Sequence, residues 1–255
     1  MKKQPIYKYY WFGTCERYLQ DAHKDMSMSQ ESGVPYNIKC FLRNLNDLGL
    51  IVTLRVAEPR LRPLLKELEG VAVLEDEQAI RLRKAMDEIR TTLDAEIEDI
   101  TAFTPTPKRL DLNKLLDDVG GLFGPDVFDS LPDIARYDFM EAGKCMAFER
   151  STATAFHILR ATESVLRFYY EQMVRRNRIS SRMWGPIVND LRKHALTKKF
   201  DILNNHLDNI RNSFRNPTQH PEATYDIHEV QDLWAVCVDV VNRMIRVLLE
   251  SNRLV

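Results

Sequence analysis

Glycine and proline are scarce in this chain, with nine and eleven among 255 residues. That scarcity argues against a turn-rich β architecture, and plentiful Leu, Ala, Glu, Lys, Arg and Met argue for helices. Cysteine is sparse too. Cys15, Cys40, Cys145 and Cys237 form no Cys-x-x-Cys pair and share no ligand spacing with histidine, so a reduced, metal-free interior is expected. Nowhere do 18 apolar residues run together, and the basic start Met1-Lys2-Lys3 leads into no apolar stretch of signal-peptide length. The expectation is a cytoplasmic chain with no membrane partner. The glycines of Gly120-Gly121-Leu122-Phe123-Gly124-Pro125 lack the Gly-Lys-Ser/Thr ending of a phosphate-binding loop and read as turn residues. Neither a Rossmann glycine pattern nor a Ser-His-Asp framework is present, and His23, His194, His206 and His228 show no ligand spacing. No cofactor is expected.

Net charge is also nearly absent, at −1, which argues against a protein that coats nucleic acid. The average hides a division. Residues 61–133 hold 17 Asp and Glu against 9 Lys and Arg, whereas residues 141–220 hold 14 Lys and Arg against 7 Asp and Glu. An anion-binding surface therefore belongs to the second half, unless both runs are ordinary solvated helix faces.

What the chain does contain is helical periodicity. With 255 residues and 44% hydrophobic content it can build one large domain or two modest ones. The reading is an all-α protein in three parts: a mostly helical region 1–104 of unknown role, a linker 105–132 with a short helix, and a helical bundle 133–255. In the first part Ile38–Leu48 has helical character up to Gly49, Ile51–Val56 is too short to classify, and Pro63–Leu68 opens a separate short helix. From about Glu75, Leu82, Met86, Ile89, Leu93, Ile97 and Ile100 recur at spacings of three and four, predicting a helix of about 24 residues that the prolines at 105 and 107 follow. Past Pro132 the expected helices are Asp133–Glu149, one from an N-cap at Ser151 or Thr152 to about Arg176, Met183–His194, one carrying Phe200, Leu203, Leu207, Ile210 and Phe214, and Ile227–Glu250. Single apolar stripes joined by short connections predict an antiparallel bundle.

The fourth of these helices runs into Arg211-Asn212-Ser213-Phe214-Arg215-Asn216-Pro217-Thr218-Gln219-His220-Pro221. Arg211 and Arg215, four apart, are expected on one face, where two like charges are comfortable only with an anion between them. Pro217 is expected to end the helix and to push Asn216 out of α geometry, presenting His220 from a constrained turn. Arginine is a permanent phosphate-binding fork and histidine exchanges protons near neutral pH, so the pair suits metal-free cleavage of RNA by its own 2′-hydroxyl. The bare Arg-x4-His spacing arises by chance about half a time in a chain of this composition, so its position carries the argument and an ordinary turn histidine is the alternative. One histidine per chain supplies only one of two proton transfers. A two-fold homodimer would supply the other.

Glu163 stands on the apolar stripe of the second bundle helix between Leu159 and Leu166, and a buried carboxylate needs a partner. Arg211, Arg215 and Arg160 are the candidates, with exposure at the stripe's edge as the alternative. His157, Arg160 and Arg167 share the polar face of that helix, either as the lining of an RNA-binding groove with Ser164 or as a solvated face. Tyr225 either stacks on a base or packs at the bundle end.

The order Arg215, Asn216, then His220 at the end of the penultimate long helix, with Glu141–Glu163 as two preceding helices, resembles the HEPN superfamily (higher eukaryotes and prokaryotes nucleotide-binding domains) over about Asp133 to Glu250. The resemblance implies a dimeric, metal-independent endoribonuclease, of toxin–antitoxin or antiviral systems, with Arg215 and His220 catalytic, Asn216 shaping the site, and an antitoxin or other regulatory partner. The alternative it allows is the other HEPN class, non-catalytic modules for nucleotide binding or assembly. The His-x-Tyr extension of members controlled by nucleotidyltransferase antitoxins is absent, since Glu222 occupies the tyrosine position.

Overall fold

A computed structural model describes residues 4–175, 178–194, 197, 200–218 and 223–253. Every regular element among them is helical, apart from one isolated bridge between Ser27 and Val73, as the all-α reading expects. The chain divides into two units, Met1–Phe103 and Thr104–Val255, each with its own core.

The first unit holds α1 (Ile6–Gln20), α2 (Val34–Leu48), α3 (Ile51–Glu67) and α4 (Asp76–Glu98). Each packs on the next, and α4 closes on α1 around Phe12, Leu19, Ile38, Phe41, Leu61 and Met86. Gly49 stops α2 because it adopts φ 79°, a left-handed turn that lets the Leu50 N–H reach the Leu45 carbonyl at 2.9 Å. The expectation of two separate short segments over 51–68 is corrected: α3 is one helix that runs through Pro59 and Pro63. Both prolines lie on its exposed face, where the carbonyls that lose an N–H partner meet water, while Thr53, Ala57, Leu61 and Leu64 form the buried stripe. Its first turn is tied to α4, whose Glu96 carboxylate accepts the N–H groups of Val52 and Thr53 at 3.0 and 2.8 Å. In α4 the stripe outlasts the core, since Leu82, Met86, Ile89 and Leu93 are buried and Ile97 is exposed, as is Ile100 just past the helix end.

The second unit contains α5 (Leu112–Asp117), a 3₁₀ turn Val119–Leu122, α6 (Asp133–Ala147), α7 (Ser151–Met173), α8 (Trp184–Lys193), α9 (Asp201–Ile210), a π-helical segment Arg211–Arg215, the short turn α10 (Asn216–Thr218), and α11 (Ile227–Glu250). The segment read as a linker belongs to this core: Leu115, Val119, Val127 and Leu131 are buried in it, and Phe123 meets Phe139 edge-on at 4.9 Å. Helix α7 packs on α6, α8 and α11, which puts it at the centre of the bundle. Trp184 anchors α8, fully buried with its indole N–H donated to the Leu207 carbonyl at 3.1 Å. Burial of such a side chain contributes about 2–3 kcal/mol, and the buried N–H requires that acceptor. Asp226 and Glu229 form a reciprocal capping box that starts α11 where the sequence places it.

Two local expectations change. Neither Ser151 nor Thr152 is the N-cap of α7, a position that Arg150 occupies without a side-chain cap, and Thr152 Oγ1 instead accepts the Tyr225 N–H at 3.3 Å. The helix through Arg215 does not end before Pro217 either. Asn216 keeps α geometry at φ −66°, ψ −49°, because the preceding turn is wider: its N–H bonds the Arg211 carbonyl five residues back. The Phe214 carbonyl accepts the Thr218 hydroxyl at 2.6 Å and the Tyr225 hydroxyl at 3.2 Å.

Candidate functional site

The outward face of α7 borders an open groove of about 940 Å³. His157, Arg160, Glu163, Ser164 and Arg167 follow one another at helical spacing along it, Pro132 and Ile134 bound it from the start of α6, and Arg182, Arg215 and Thr218 complete it. Four arginines line this groove against two glutamates, Glu163 and Glu171. The sequence-level stripe on α7 is therefore rotated. Ile158, Val165 and Tyr169 join Leu159, Leu166 and Tyr170 in the core, while Phe156 is about half exposed and Glu163 sits at the rim.

Glu163 joins the two charged elements of the groove. Its Oε2 accepts Nε and Nη2 of Arg215, both at 3.3 Å, and its Oε1 accepts Nη2 of Arg167 at 2.6 Å. Of the three candidate partners the structure selects Arg215. The Glu163 side chain is 14% exposed and that of Arg215 27%, so the pair is shielded from solvent yet open along one edge. Arg211 takes a different direction. Its guanidinium meets Asp208 at 3.1 Å and Asn212 Oδ1 at 3.2 Å, beside Gly185, where a Cβ would stand 2.6 Å from Arg211 Nη1. The shared face predicted for Arg211 and Arg215 assumes α-helical pitch, and the π segment that holds both has more residues per turn.

Six and three residues before Glu163, or about 9 and 4.5 Å of helix rise, His157 and Arg160 converge on Asp138 of α6. Asp138 is fully buried; it accepts Nε of Arg160 at 2.6 Å, a second bond from Arg160 Nη2, and Nδ1 of His157 at 2.9 Å. The hydrogen bonds to Asp138 raise the pKa of Arg160 above the ordinary arginine value, so its guanidinium stays charged. Sequence reasoning passed over Asp138, although a signal exists: it falls on the core stripe of α6 among Ala135, Phe139 and Ala142. Arg182, 3.5 Å from Glu171 in the same groove, carries no comparable signal.

Asn216 is exposed beside the motif arginine. Tyr225 lies outside the groove lining, stacked on Phe214 at 6.5 Å with its hydroxyl 2.6 Å from Thr218 Oγ1, so it packs at the bundle end. His220, the expected proton-transfer residue, lies outside the described residues. Among the described residues no group of three or more His, Cys, Asp or Glu is placed to hold a metal ion, and no helix is long and apolar enough to cross a membrane. Set against protein-family models, curated proteins and solved structures, the chain matches none.

Proposed function

We propose that the second unit is a metal-independent endoribonuclease of HEPN type, in which Arg215 stabilises the charged phosphate of the transition state and His220 transfers a proton. The observation that carries this reading is the Arg215–Glu163 pair at the edge of a groove lined by three further arginines. A carboxylate that holds the guanidinium by two donors aims it in advance, and a fork fixed before substrate arrives loses less on binding a phosphate oxygen. The exposed Phe156 beside these arginines offers a base a stacking surface along the same wall. The chain acts as a homodimer in this reading, because the motif provides one histidine per copy, and its RNA cleavage suits a toxin or antiviral effector held in check by a partner.

A second reading draws on the same pair. Arg215 is already satisfied by Glu163, which suits a non-catalytic module whose arginines hold a nucleotide or a protein carboxylate. Incubation of purified wild type, Arg215→Ala and His220→Ala with total RNA and a chelator separates the two. Cleavage by wild type and its loss in both variants, with the dimer mass retained, is the result expected of the nuclease; RNA left intact by wild type favours the module.

A further inference from the structure

Cleavage by a 2′-hydroxyl needs a base as well as an acid, and the Arg215–His220 motif carries a single histidine. A second imidazole lines the groove. His157 reaches it from α7 with its side chain 27% exposed, and its Nδ1 lies 2.9 Å from the Asp138 carboxylate. Among the described residues every other partner of that carboxylate is an Arg160 N–H, so Asp138 accepts throughout and His157 Nδ1 is the donor. In neutral His157 the lone pair is then on Nε2, which has no hydrogen-bond partner among the described residues. Arg160 alone balances the charge of Asp138, so what the carboxylate gives His157 is orientation and a fixed tautomer. A buried acid that turns a partly exposed imidazole so that its basic nitrogen is the unpaired one is the arrangement proton abstraction requires.

We infer that His157 is the general base of the groove and that Asp138 is the residue that positions it. The inference rests on the ribonuclease reading above. His157 Nε2 takes the 2′-hydroxyl proton as that oxygen bonds to phosphorus; the bond from phosphorus to the 5′ oxygen breaks, and this oxygen takes a proton from solvent. The products are a 2′,3′-cyclic phosphate and a 5′-hydroxyl end, with no water consumed. His157 then supplies within each chain the proton transfer that the homodimer reading assigns to a second copy of the motif.

The test uses the full-length protein and a short RNA, with affinity measured on the same oligonucleotide carrying a 2′-deoxy at the cleaved position. His157→Ala is expected to lose about 10²- to 10⁴-fold in cleavage rate, to bind the uncleavable oligonucleotide within about threefold of wild type, and to regain cleavage when imidazole is added. His157→Gln, which can still hydrogen-bond Asp138, guards against misfolding and is expected to be equally inactive. Asp138→Asn is expected to move the His157 ring from the Nδ1–H to the Nε2–H tautomer in ¹⁵N NMR spectra and to lower the rate with affinity unchanged. Cleavage by His157→Ala within threefold of wild type, or loss without imidazole rescue and with affinity lost as well, overturns the inference while leaving the ribonuclease reading intact. An inert wild type overturns the reading and the inference with it.

Discussion

Arg215 gives both Nε and Nη2 to one oxygen of Glu163, at 3.3 Å each, while Arg167 occupies the other oxygen at 2.6 Å. One carboxylate thus sets the direction of two guanidinium groups at the rim of the groove. Because the bonds to Arg215 are long and the side chain is about a quarter exposed, Glu163 orients this arginine more than it stabilises the fold.

Glu163→Gln should therefore cost catalysis and spare stability. The neutral amide cannot hold two cations, and freeing Arg215 is expected to lower the cleavage rate by about tenfold, the equivalent of roughly 1.4 kcal/mol. The melting temperature should stay within a few degrees of wild type. Arg215→Lys should lose at least as much rate, since an ammonium has no planar fork to offer a phosphate. Rate and thermal melt on the same preparations check both.

Two hydroxyls reach the Phe214 carbonyl of the π segment, so Tyr225→Phe and Thr218→Val should each destabilise the second unit. Each change removes one hydroxyl from the Phe214 carbonyl, where the expected cost is about 1 kcal/mol. Together they should cost more than their sum, because the remaining acceptor is left without either donor. Urea denaturation of the single and double variants measures the coupling.

In the first unit, acid should unmask the cap on α3. Burial disfavours the charge of Glu96, but hydrogen bonds from Thr53 and Val52 outweigh it and hold its carboxyl below the usual glutamate range. A group whose folded pKa is depressed contributes its stability above the unfolded pKa and loses it as pH falls through the folded one. Glu96→Gln is accordingly expected to cost about 1 kcal/mol at pH 7, and the difference from wild type should shrink below about pH 4. Denaturation midpoints between pH 3 and pH 7 check the sign.

Thiol chemistry should report burial residue by residue. Burial pushes the Cys237 thiol up to about 12 and the Cys15 thiol up to about 11, and Cys40 is buried beside Cys15. Only Cys145 is partly exposed. At pH 8 a thiol reagent should modify Cys145 first and reach the other three only on unfolding, as peptide mass spectrometry of the labelled protein would record.

Where burial alone decides structure, the residues announced it. Val230, Leu233, Trp234, Cys237, Val241 and Leu248 recur at helical spacing, and the helix they imply has the bounds Ile227–Glu250. Proline was the misleading signal. Pro63 read as the start of a separate helix, yet it and Pro59 both fall on the exposed face of α3, a fact that depends on which face the fold buries. At Pro217 the same signal failed for another reason, because a π turn carries the chain through Asn216 in helical geometry. Part of the site was legible in the chain, Glu163 included, and part of it, Asp138 and Arg182, was not. Arg215, Arg160 and His157 were identifiable as candidates from the chain alone, and the partner of Glu163 was narrowed to three. Asp138, which organises two of those side chains, acquires its role only when α6 packs on α7.

The measurement that bears most directly on the central claim is cleavage of a 5′-labelled RNA by the purified full-length protein in excess chelator, beside Arg215→Ala and His220→Ala of equal folded mass. The account predicts fragments ending in 2′,3′-cyclic phosphate from wild type and at least about a hundredfold less from either variant. Intact RNA with wild type, or equal cleavage by all three proteins, would contradict it.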